Sequence, residues 1–180
     1  MLCIVFAAAA AALLVLDQWT KVWTVANFAA PVAPALYATA DPAKPLLPGV
    51  VELTRVHNYG AAWSSFSGQR WFLLGVTGII VLAVAYLLVR RIVRHPLGVA
   101  ACCLILSGGI GNLVDRIRYG YVVDMFQFEF WRSYPVFNVA DMCIVIGAII
   151  GAVYYLWFYE KYDQKRPEEK ANGDPDAPTE

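Results

Sequence analysis

Four long apolar stretches constrain this chain more than any other feature. In hydrocarbon a backbone amide has no water to bond, so a spanning segment must satisfy its own hydrogen bonds, and a helix of about 20 mostly apolar residues is the simplest way to do so. Trp71–Val89, Leu97–Val114 and Met142–Tyr159 each run without a charge. Met1–Leu16 is also uncharged but short, giving roughly 24 Å of helix against about 30 Å of hydrocarbon. It must continue through Asp17, Lys21 and on towards Phe28 to cross. A cleaved leader is the rival reading of this first stretch. It lacks a basic start, and no small-residue cleavage site opens onto a polar chain. Asp17 and Lys21 instead stand at i and i+4, where opposite charges face each other on a helix.

The charge is unevenly placed. Charged residues make up 16% of the chain, against about 25% in soluble domains. Residues 160–180 hold seven of the 14 acidic side chains. The reading is one integral-membrane domain over residues 1–159, mostly α, with spans at about 1–28, 71–89, 97–114 and 139–159. A polar tail, 160–180, is too charged to build a core of its own. No basic stripe points to nucleic acid. Cys3, Cys102, Cys103 and Cys143 all lie in apolar runs without metal-ligand spacing and read as small buried hydrophobes.

Four spans put both termini on one side. Arg90, Arg91 and Arg94 crowd the tight second connection, and Lys161, Lys165 and Arg166 follow the last span, so this side is expected to be cytoplasmic. The connections at about 29–70 and 115–138 would then face outwards. Residues 31–48, rich in Pro and Ala, read as irregular. Gly49–His57 and Tyr121–Phe128 are rich in β-forming residues and read as strands, which would form a small extracytoplasmic β-cradle over the helix ends.

Polar islands border these spans, and each has a bland reading. Asp17 and Lys21 could simply anchor a helix end. Asn58, Gly60 and Ala61 fit a turn after a strand, or a place where a substrate backbone comes close. Asn112 and Arg116 share a helical face behind Gly108, Gly109 and Gly111, which suits either close helix packing or a clamp for carbonyls. Asp124 lies in mid-strand. Asn138 is a good helix N-cap, with Asp141 three residues on in the first turn, where free amides and the helix dipole favour a carboxylate. Asp124 and Asp141 could meet at one membrane face, and paired carboxyls are the equipment for acid–base activation of water.

Taken together, DQWTK (17–21), NYGAAWS (58–64), GGIGNLVDR (108–116), GYVVDMF (120–126) and FNVADM (137–142) resemble the bacterial lipoprotein signal peptidase (signal peptidase II) family from Asp17 to about Tyr159. The resemblance implies a four-helix inner-membrane aspartic peptidase that needs no metal or other cofactor. It would act on diacylglyceryl-modified prolipoproteins, cleaving before the lipidated cysteine, and globomycin-type cyclic peptides would inhibit it. Asp124 and Asp141 match the family's catalytic pair. Asp17, Lys21, Asn58, Gly60, Ala61, Asn112, Arg116, Asn138 and Ala140 match supporting or substrate-contacting positions. The expected unit is a monomer among membrane lipid. Trp63, Met125 and Met142 depart from the family's usual residues, as does the length of the 31–48 connection. Two other classes fit such a chain: a non-catalytic lipoprotein-binding subunit, and a small proton or ion transporter, which would spread its polar groups through the membrane depth.

Overall fold

A computed structural model of the protein describes residues 2–31 and 41–164. Among the described residues, four helices are long and apolar enough to cross a membrane: α1 Leu2–Asn27, α2 Arg70–Val89, α3 Pro96–Arg118 and α4 Val139–Trp157. As expected, α1 runs unbroken through Asp17 and Lys21, because burying this pair removes the penalty of carrying it through a span. Helix α3 is the hub and packs on all three others. Its small residues permit this. A Cβ on Gly111 would sit 2.6 Å from the Asp17 carboxylate, and one on Gly147 of α4 would sit 2.9 Å from Ile105. By contrast α2 is nearly bare of buried residues and presents an apolar surface all round, as a lipid-facing helix does.

Three strands form an antiparallel sheet in the order β1 (Lys44–Leu47), β2 (Val51–Asn58), β3 (Val122–Phe128). The central and inner strands fall where the β-rich runs lie. Strand β1 is a correction, because it lies in the segment read as irregular. It is a short, fully exposed edge strand containing Pro45, so its sequence shows no alternation. Residues 32–40 of that segment lie outside the described residues.

Two boundaries also move. Helix α3 continues a turn beyond Val114, which keeps Asp115 and Arg116 helical. Residues 160–164, expected in a solvated tail, form a π-helical turn whose Asp163 carboxylate accepts from Tyr154 Oη at 2.5 Å and from the amides of Arg94 and His95. The remainder of the tail, 165–180, lies outside the described residues.

Arg55 ties the sheet to the bundle. Its guanidinium donates to the carbonyls of Phe28, at 2.8 Å, and Val25, which have no further turn of α1 to bond.

Candidate active site

The polar islands meet at one end of the bundle, where α1 and α3 finish and α4 begins, with β3 laid across them. The arrangement starts with the first turn of α4. Asn138 caps it, its Oδ1 accepting from the Asp141 amide at 2.8 Å, while Asp141 Oδ2 accepts from the Asn138 amide at 3.2 Å. A third amide of that turn, on Ala140, donates to Asp17 Oδ1 at 2.9 Å. The helix start that holds Asp141 is therefore fixed both by its own cap and by α1.

Asn138 also fixes the strand. Its Nδ2 donates to Asp124 Oδ1 at 2.7 Å and to Asn112 Oδ1 at 3.1 Å. Asn58 Nδ2 donates to the other Asp124 oxygen at 3.0 Å, and Asn112 Nδ2 donates to Asp141 Oδ1 at 2.8 Å. Both oxygens of both carboxyls thus meet an N–H. Asp124 is 1% exposed. Burial, and next the charge of Asp141, push its carboxyl well above the usual carboxylate range and outweigh the two amide donors. His57, on the same sheet, is held down to about 4 by burial and by Arg55, so it is neutral at physiological pH.

Behind this pair lies a buried charge cluster. Lys21 Nζ reaches Asp17 Oδ2 at 2.9 Å, Asp115 Oδ2 at 3.0 Å and Asn112 Oδ1 at 3.0 Å. All three of its N–H donors have acceptors, which is what a buried ammonium requires. Asp115 was not among the sequence candidates. Its second carboxylate role is to accept from the Val123 amide at 3.1 Å, docking the strand that carries Asp124. The available signal was its position one helical turn past Asn112 and next to Arg116.

Arg116, expected to clamp substrate, is already engaged. Its Nη2 donates to the Gly60 carbonyl at 2.7 Å. Gly60 admits no side chain, since a Cβ would meet Ser65 O at 2.5 Å, and the Ala61 amide donates to that same oxygen at 2.7 Å. The loop that follows bends tightly, with Trp63, Ser64 and Phe66 at φ of 51–58°. Arg116 therefore holds this loop over the site. Among the described residues, all the sequence-predicted site residues meet here. They do not spread through the membrane depth as a relay would.

Asp124 and Asp141 open on one cavity of about 480 Å³, lined also by Asn58, Asn112 and Arg116. Thr77 of α2 and the apolar Ile144 and Val145 of α4 form its flank on the helix side. The arrangement places two carboxyls on one cavity at an end of the helix bundle, as acid–base activation of a water requires. Among the described residues, no group of three His, Cys, Asp or Glu is placed to hold a metal ion.

Residues 9–158 match the family described as Signal peptidase (SPase) II. Over 172 residues the chain is 36% identical to a lipoprotein signal peptidase of Enterococcus faecalis, covering 96% of this chain and 97% of that one. A lipoprotein signal peptidase of Lactococcus lactis is 39% identical over 137 residues, 76% of this chain and 83% of its own. Two solved bacterial membrane enzymes share the fold. One has a TM-score of 0.71 at 24% identity, covering 98% of this chain and 94% of that chain. The other has a TM-score of 0.69 at 27% identity, covering 87% and 93%. With its whole membrane body matched and its polar islands gathered at one end of the bundle, this chain belongs to the signal peptidase II family of peptidases.

Proposed function

We propose that the protein removes signal peptides from lipoprotein precursors, cleaving the bond before the diacylglyceryl-modified cysteine with Asp124 and Asp141 as its acid–base pair. The observation that carries this reading is the pair of carboxyls on one cavity, tied together through Asn138 and flanked by an apolar wall. Asp124, whose carboxyl is pushed up by burial beside Asp141, holds the proton and donates it to the scissile carbonyl oxygen. Asp141, oriented by Asn112 and the Asn138 amide, takes a proton from the attacking water. Water oxygen bonds to the carbonyl carbon. On collapse of the tetrahedral intermediate the C–N bond breaks, the cysteine amine leaves with the proton from Asp141, and one hydroxyl of the intermediate returns its proton to Asp124 as the new carbonyl forms.

The lipid chains of the substrate lie along the α2–α4 flank, which brings the peptide bond to the depth of the carboxyls. Asn58 and Asn138 hold Asp124. The backbone at Gly60–Ala61 lies against the substrate. The site faces outwards, both termini are cytoplasmic, and the unit is a monomer in the bacterial inner membrane. The basic second connection supports that orientation.

The test is to incubate the purified protein in detergent with a diacylglyceryl-modified prolipoprotein, beside Asp124→Asn and Asp141→Asn, with and without EDTA. Cleavage by wild type alone, with either variant at least about 10³-fold slower and EDTA without effect, is the expected result. Normal turnover by either variant would refute the paired-carboxyl mechanism.

A further inference from the structure

A second cavity, of about 290 Å³, adjoins the first. The two share Trp63, Tyr134, Pro135 and Val136 as a common wall, in which the Trp63 and Tyr134 rings meet nearly edge-on at 6.1 Å. Beyond that wall the lining is Val56, Gln127, Arg132 and Ser133, and it includes no residue of the four helices. The first cavity therefore borders the helices, and the second borders the sheet, Trp63 and the 131–136 segment.

A local irregularity in β3 aligns the two. The amides of Met125 and Phe126 both donate to the Phe137 carbonyl, at 3.1 and 2.8 Å, so two residues oppose one, as in a β-bulge. In a regular strand, residues three apart project to opposite faces. Gln127 and Asp124, three apart on this irregular strand, nonetheless line adjoining cavities. At ~3.3 Å per residue, Gln127 lies about 10 Å along the strand from Asp124, the reach of about three residues of an extended peptide.

The chemistry of the lining selects among ligands. Arg132 pairs with the Glu52 carboxylate, whose strand partner is Gln127, so the guanidinium is neutralised. Among the described residues, the Gln127 amide and Ser133 hydroxyl make no hydrogen bond, which leaves donors and acceptors suited to peptide backbone and small polar side chains.

We propose that this second cavity binds the first residues of the mature chain, about two to four positions past the cleaved bond. The inference rests on the cleavage reaction proposed above. The signal peptide side is apolar and belongs with the helices. The segment leaving the site towards water is the polar one, and its route from the carboxyls runs past the Trp63–Tyr134 wall.

The experiment uses the full-length protein and synthetic diacylglyceryl-modified precursor peptides, amidated and ending one, two, four or six residues after the cysteine. The expected result is a rise in kcat/KM of about tenfold from the shortest to the four-residue peptide, carried mainly by KM, and a plateau thereafter. In Gln127→Ala/Ser133→Trp, which removes the amide and fills the cavity, the long-to-short ratio falls towards one. Equal rates for all lengths in wild type, or an unchanged ratio in the variant, would overturn the subsite while leaving the cleavage reaction standing. Failure of wild type to cut any peptide would overturn the reaction and the subsite with it.

Discussion

Asp124 illustrates how a single residue's surroundings set its chemistry. Its carboxyl is raised on folding, so the native state binds that proton more tightly than the unfolded chain does. The associated stability is complete at acid pH and is lost as pH rises through the folded-state value. Asn at this position is neutral at every pH and escapes the loss. The melting temperature of Asp124→Asn relative to wild type is therefore expected to increase between about pH 5 and about pH 8. A constant difference would mean that Asp124 titrates like an exposed carboxyl. In the proposed reaction the same proton serves the scissile carbonyl, so kcat should fall on an alkaline limb above the ordinary carboxylate range. Residue identities at the site were legible in the sequence because each island pairs a polar side chain with a helix end or a turn. Asp115 was not, because its task is to bond an amide on a strand and an ammonium on another helix.

At the scale of elements, close approach of α3 to α4 and α1 sets the site. A Cβ on Gly108 would strike the carbonyl of Ala140, the residue before Asp141, and would lie 2.7 Å from Ile144. Gly108→Ala should thus cost ~1–3 kcal/mol and lower turnover by displacing the start of α4. Gly75 on α2 has nothing within 4 Å of an added Cβ. Gly75→Ala should leave turnover unchanged and gain up to ~1 kcal/mol of helix stability. Thermal unfolding and cleavage assays on the two variants check this, and equal effects would remove the packing argument. The helices could be read from hydropathy, since length and composition suffice for a span. Strand β1 could not, because an exposed edge strand of four residues with a proline leaves no periodic trace.

For the whole molecule, the far end of the bundle is fastened by the residues after α4. Asp163 receives the Tyr154 hydroxyl and the amides of Arg94 and His95, and the His95 ring stacks on Phe158 at 4.7 Å. Removing residues 167–180 should leave activity and melting unchanged, whereas removing 159–180 should lower the melting temperature by about 5 °C. Identical melting of the two truncations would show that the Asp163 contacts hold nothing. By itself the sequence determined the number of helices long and apolar enough to span, the positions of two strands and the cap at Asn138. Each of these follows from neighbours within a turn or a strand, or from a run long enough to cross a bilayer. Only the tertiary structure decided that Asp17 bonds an amide 123 residues away, that Lys21 also meets Asp115 of α3, and that Gln127 and Asp124 line adjoining cavities. Those contacts join segments far apart in the chain, and no local pattern specifies which distant partner a buried polar group will find.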